Sequence, residues 1–219
     1  MLINMKRTLL KMLLVGFLFL VATELRAQAP AFKGLYVYSL GDIMGNPLGE
    51  DILFRYCRDS SFNSITIGIG SFDVQNNPTP RAQLAAFIKK GRTRYGIKHF
   101  ISMVYDYPTL INEVHYYQTT RTDTLERFDY YNFEYEYWNS GKWNGSNTDY
   151  CTSYLQPGGY PCDSVGAWNY FVKNMTRTDS LAALGGAKTV CYIGLQSKNP
   201  TKNLFVADHS DLILLAAYH

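Results

Sequence analysis

The chain has 219 residues and a formal charge of +3, and Lys6, Arg7, Lys11 and Arg26 stand with Glu24 in its first 27 residues, without which that charge falls to zero. A neutral remainder with no Lys/Arg cluster excludes the electrostatic footprint of a nucleic-acid or anionic-membrane binder; its length is that of one domain with a sizeable core. Tyrosine outnumbers phenylalanine by 18 to 12, which favours flat faces that carry a hydroxyl and suits sugar stacking as well as half-buried packing.

In chain order, the cations Lys6, Arg7 and Lys11 precede an apolar run over residues 12–22, and a polar stretch leads to Ala27. That order predicts a secretory signal, residues 1–27, cleaved near Ala27. An apolar run of about 11 residues is too short to cross a bilayer, so no stable membrane span is expected. The mature domain, residues 28–219, is then expected to be secreted, either periplasmic or extracellular.

Apolar β-branched runs next alternate with amphipathic stretches. Strands are predicted at Lys33–Leu40, Ser64–Gly70, His99–Tyr105, Tyr130–Tyr137, Thr189–Leu195 and Asp211–Tyr218. Between them, helices are predicted near Gly49–Asp59, Arg81–Tyr95, Pro108–Thr120, Asp163–Leu184 and Thr201–Ala207, the fourth ended by Gly185 and Gly186. This alternation indicates a parallel α/β architecture, which periodicity leaves open between a doubly wound sheet and part of an eightfold barrel. No G-x-G-x-x-G opens a helix after the first strand and no G-x-x-x-x-G-K-[ST] occurs, so no cofactor is expected and the barrel is preferred. A closed (β/α)₈ barrel needs two more strands and ~250 residues. The expected fold is therefore an incomplete TIM-type barrel, and the chain is expected to be truncated.

Cys151 and Cys162 bracket a Pro/Gly-rich stretch within an insertion at about residues 139–162, and they are expected to form a disulfide after export. Cys57 and Cys191 fall in helical and strand-like runs, as small buried thiols do. The histidines show no metal-ligand spacing, so no metal is expected.

The segment Phe128–Trp138, FDYYNFEYEYW, carries the chemistry. With strand period 2, Asn132, Glu134 and Glu136 share one face while Tyr131, Phe133, Tyr135 and Tyr137 share the other. The aromatic face belongs against helices, which sends Asn132 and two carboxylates into the barrel interior. Two buried like charges push one another toward the protonated form, and a protonated carboxyl is a general acid. Barrel active sites lie at the carboxyl ends of the strands, where Glu136 is the last acid of the row. Tyr105 and Asp106 close the third strand near the same mouth, Asp106 also standing where a helix cap would. Trp138 beside the row could stack on a sugar.

The spacing of Asp129, Asn132, Glu134 and Glu136 resembles the D-x-x-D-x-D-x-E signature of glycoside hydrolase family 18, the chitinases and endo-N-acetylglucosaminidases. The resemblance implies an N-acetylglucosamine-containing glycan as substrate, Glu136 as proton donor, Glu134 in the place of the acid that orients the N-acetyl group, and Asn132 in the place of that acid's supporting partner. It also implies Asp129 and Tyr218 as substrate contacts. Asn132 and Glu134 replace two aspartates of the signature, and the S-x-G-G of the third strand survives only as Ser102. These departures keep two alternatives open: a chitinase-like lectin that binds glycan without cleaving it, and a two-carboxylate retaining glycosidase.

Overall fold

In the computed structural model, which describes residues 32–70, 72–194 and 199–216, the chain forms a single six-stranded sheet, every neighbouring pair parallel and the strand order the same as the chain order. The strands are β1 (Gly34–Val37), β2 (Ser64–Gly68), β3 (His99–Val104), β4 (Tyr130–Phe133), β5 (Lys188–Gly194) and β6 (Leu212–Ala216). Helices alternate with them: α1 (Pro47–Asp59), α2 (Pro78–Tyr95), α3 (residues 107–120, with a π-helical turn at Leu110–His115), the short α4 (Ser140–Trp143), α5 (Ser164–Gly185) and α6 (Pro200–Asp208). This is an incomplete TIM-type (β/α) barrel: among the described residues β1 pairs with β2 alone and β6 with β5 alone, so the sheet curls without closing.

Helix starts follow one local rule. Asn46, Asn77 and Asn199 each accept a hydrogen bond from a first-turn N–H, and the next residue in each case is proline. A capping side chain and a residue that lacks an N–H suit the end of a helix where donors have no partner. These three helices begin one to three residues before their predicted starts, because the proline belongs to the first turn and not to the preceding loop. Gly96 and Gly186 close α2 and α5 in the left-handed conformation, at φ of 72° and 68°.

The two faces of the sheet differ in composition. On the outer face Ile65, Ile67, Phe100, Val104, Tyr131, Phe133 and Cys191 are all but completely buried. There Phe100 meets Phe87 of α2, and Phe133 meets Phe171 of α5. Strand register places the alternate residues on the inner face, with Gly68, Met103, Asn132, Val190 and Leu212 in one row. Tyr36 on β1 comes within 6.5 Å of Tyr192 on β5, centroid to centroid. Four strand spacings of ~4.8 Å would hold them roughly 19 Å apart in a flat sheet, so the strong curl brings these rings together.

Several predicted boundaries move. The fourth strand ends at Phe133 and not at Tyr137, because the chain leaves the sheet to enter α4. After α3 a separate 3-10 turn, Thr124–Glu126, precedes β4. The expected signal, residues 1–27, and Tyr218 lie outside the described residues. Among the described residues no helix is long and apolar enough to cross a membrane.

Candidate functional site

Glu134 stands just past the carboxyl end of β4, and its N–H donates to Val104 O at 2.9 Å, continuing the ladder by one residue. The alternation set by β4 turns Tyr135 outward, where its buried ring stacks on Tyr150 at 4.5 Å and meets Tyr170 of α5 at 4.8 Å. Asn132 and Glu134 face inward. Asn132 Nδ2 reaches Tyr36 Oη at 3.4 Å, and Tyr38 Oη donates to Glu134 Oε1 at 3.5 Å. Both tyrosines belong to the β1 end of the sheet, so these contacts cross the interior.

Glu134 is 5% exposed, and its Oε2, like Asn132 Oδ1, has no hydrogen-bond partner among the described residues. Burial raises the Glu134 carboxyl from its ordinary value of 4.5 to about 7, the nearby Glu136 pushes the same way, and Lys142 and Tyr38 oppose both. Near neutrality Glu134 is thus shared between its acid and its anion. Tyr105, which β3 places beside it, is held neutral first by burial and then by the charge of Glu134.

Glu136 lies elsewhere in its chemistry. It is past the strand, its Oε1 accepts from Lys142 Nζ at 3.0 Å and its Oε2 from Asn139 Nδ2 at 2.8 Å. Lys142 sits on α4 and also lies over the Tyr150 ring at 5.1 Å. Glu136 is therefore a carboxylate in an ion pair at the rim, whereas Glu134 is the buried acid.

The other predicted site residues divide between the two ends of the barrel. Trp138 is half-buried at the carboxyl end, its ring 5.7 Å from that of Tyr192. Asp129 is at the opposite, amino-terminal end, where its Oδ2 accepts from Arg92 and from Phe100 N, both at 2.7 Å. It also spans β3 and β5 through its backbone, so it clamps three strands at their foot and is remote from the mouth. Asp106 acts as a cap, accepting from Thr109 N and Thr109 Oγ1. Cys151 and Cys162 are disulfide-bonded, and Cys57 and Cys191 are buried free thiols. Among the described residues no group of three or more His, Cys, Asp or Glu is placed to hold a metal ion.

Sequence reasoning missed Tyr36, Tyr38 and Tyr192. Tyr36 and Tyr38 stack at 5.8 Å, and with Tyr192 and Trp138 they form an aromatic wall facing Asn132 and Glu134. The Y-x-Y alternation in GLYVYSL carried the signal for the first two.

No family model matches the chain, and no curated protein matches it. Among solved structures it is similar to the tryptophan synthase alpha chain from Legionella pneumophila subsp. pneumophila, at 14% identity, with 85% of this chain and 79% of that one covered and a TM-score of 0.32. The resemblance to glycoside hydrolase family 18 is corrected: no model of that family matches the chain. The geometry gives the physical reason, since Asp129 lies at the foot of the barrel and Glu136 is locked to Lys142, so the four positions do not converge on one site.

Proposed function

We propose that the chain is an exported glycan-active protein of glycosidase type, with Glu134 as general acid. The observation that carries this is Glu134 itself: a buried carboxyl at the carboxyl end of β4, raised to about 7, with one oxygen unpartnered among the described residues. A carboxyl that keeps its proton near neutrality can give it to a glycosidic oxygen, while Glu136, paired with Lys142, supplies the second carboxylate of the mouth. The aromatic wall of Tyr36, Tyr38, Tyr192 and Trp138 supports a sugar ring as the thing bound, because a pyranose offers C–H faces to rings and hydroxyls to Asn132 and Tyr36. The Cys151–Cys162 bond supports an oxidising compartment.

The test is turnover of a panel of aryl glycosides and neutral oligosaccharides. Wild type is expected to release product, and Glu134→Gln to lower kcat by roughly 10²-fold or more with little change in KM. Turnover untouched by Glu134→Gln overturns the assignment. The same wall favours a second reading, a lectin-like protein that binds glycan without cleaving it; calorimetric binding with no product from any substrate selects it.

A further inference from the structure

A second recess lies away from Glu134, on the helical exterior between α3, α5 and the disulfide-bracketed loop. It encloses about 200 Å³ and is lined by Tyr107 and Pro108 of α3, Tyr160 of the loop, and Lys173, Asn174 and Arg177 of α5, among others. That volume is below the ~300–1,000 Å³ of pockets for drug-sized ligands, so it suits one ring and not a chain.

Its walls are cationic. Lys173 and Arg177 are one helical turn apart on the same face of α5. Arg177 Cζ lies over the Tyr107 ring, 4.4 Å from its centroid, and Lys173 Nζ stands 5.8 Å from that of Tyr160. Among the described residues neither has a carboxylate within ion-pair distance, whereas Lys89, Lys90, Arg92, Arg121 and Lys142 all do. The nearby acid, Asp106, spends both oxygens on Thr109. A guanidinium held over a ring can still present its edge N–H groups to fork an anion. The Cys151–Cys162 bond pins the loop that carries Tyr160, so the recess is formed in advance of binding.

We infer that this recess is an anion subsite that takes a pyranose bearing a carboxylate or a sulfate, with Arg177 and Lys173 gripping the charge and Tyr107 and Tyr160 flanking the ring. Only the choice of a sugar ring rests on the glycan reading above. The electrostatic half stands apart from it, and the binding test requires no turnover.

The probes are glucuronate, glucose 6-sulfate and glucose, titrated by NMR into the Glu134→Gln chain, in which hydrolysis plays no part. The anionic sugars are expected to bind at least tenfold more tightly than glucose, and the difference is expected to shrink at high salt. Preference for glucuronate over the sulfate ester identifies a carboxylate site, and the reverse a sulfate site. Arg177→Gln and Lys173→Gln, both at exposed positions, are expected to abolish the preference with an unchanged Tm, and Arg177→Lys to restore only part of it. Equal binding of glucose and its charged relatives, or a preference that survives Arg177→Gln, overturns the inference. Failure of glycoside turnover leaves it standing.

Discussion

Asn132 on β4 and Tyr36 on β1 meet across the inner face of the sheet, Nδ2 to Oη at 3.4 Å, although three strand spacings separate them along it. The contact satisfies only one end of the amide. Asn132 is fully buried and its Oδ1 has no partner among the described residues, and a buried acceptor left in that condition costs roughly 1–3 kcal/mol. Asn132→Leu keeps much of the volume and removes the orphan. It is expected to raise the unfolding free energy in urea by about 1 kcal/mol while lowering glycan affinity tenfold or more. A destabilised Leu variant would mark the amide as a structural group.

Glu134 makes stability depend on pH in a defined direction. Its carboxyl titrates at about 7 in the folded chain against an ordinary 4.5, so between those values the folded state binds more protons than the unfolded one. The slope of unfolding free energy with pH is then negative. Stability is full below about 4.5, falls as pH rises toward 7, and levels off above it. For this nearly unexposed group the whole change is on the order of 3 kcal/mol. Urea midpoints across pH 4.5 to 8 are expected to show the decline in wild type and a flatter profile in Glu134→Gln. Parallel profiles would remove Glu134 as the raised group.

Much of this architecture is legible before any coordinates. The run SITIG, continuous and β-branched, reads as a buried parallel strand, and the period-2 pattern of β4 correctly sends Asn132 and Glu134 inward and Tyr131 and Phe133 against the helices. The end of a strand is less visible. Glu136 keeps the alternation of its neighbours, and only the helical turn that brings Lys142 back to it shows that it has left the row. Chain direction sets Asp129 before β4, at the foot, and Glu134 after it, at the mouth; what spacing does not record is that Arg92, from another helix, holds Asp129 there. Tyr36 and Tyr192 become neighbours only through curvature, which no local pattern records.

The insertion after β4 is held by a bond whose contribution can be measured. Cys151 and Cys162 are 11 residues apart, and closing a loop of that length removes chain entropy worth about 3 kcal/mol. Tyr150 and Tyr154, on or beside the π-helical turn Cys151–Leu155, pack against Tyr135, so the loop is also the outer support of the segment that carries Glu134. Replacing both cysteines by serine is expected to lower the unfolding free energy by about 2–4 kcal/mol and to weaken glycan binding in step. Unchanged binding would detach the insertion from the mouth.

Gly194, the last residue of β5, controls the position of Trp138. A Cβ built there would fall 2.2 Å from Trp138 Nε1 and 2.7 Å from two carbons of the indole, so even alanine must displace the ring that faces Tyr192. Overpacking of this kind costs roughly 1–3 kcal/mol. Gly194→Ala is expected to shift the tryptophan emission and to lower glycan affinity about as much as Trp138→Ala does. If both act through the same ring, their effects will not add: the double variant should bind no worse than Trp138→Ala alone. Additive losses in that cycle would show that Gly194 serves the site by some route other than the indole.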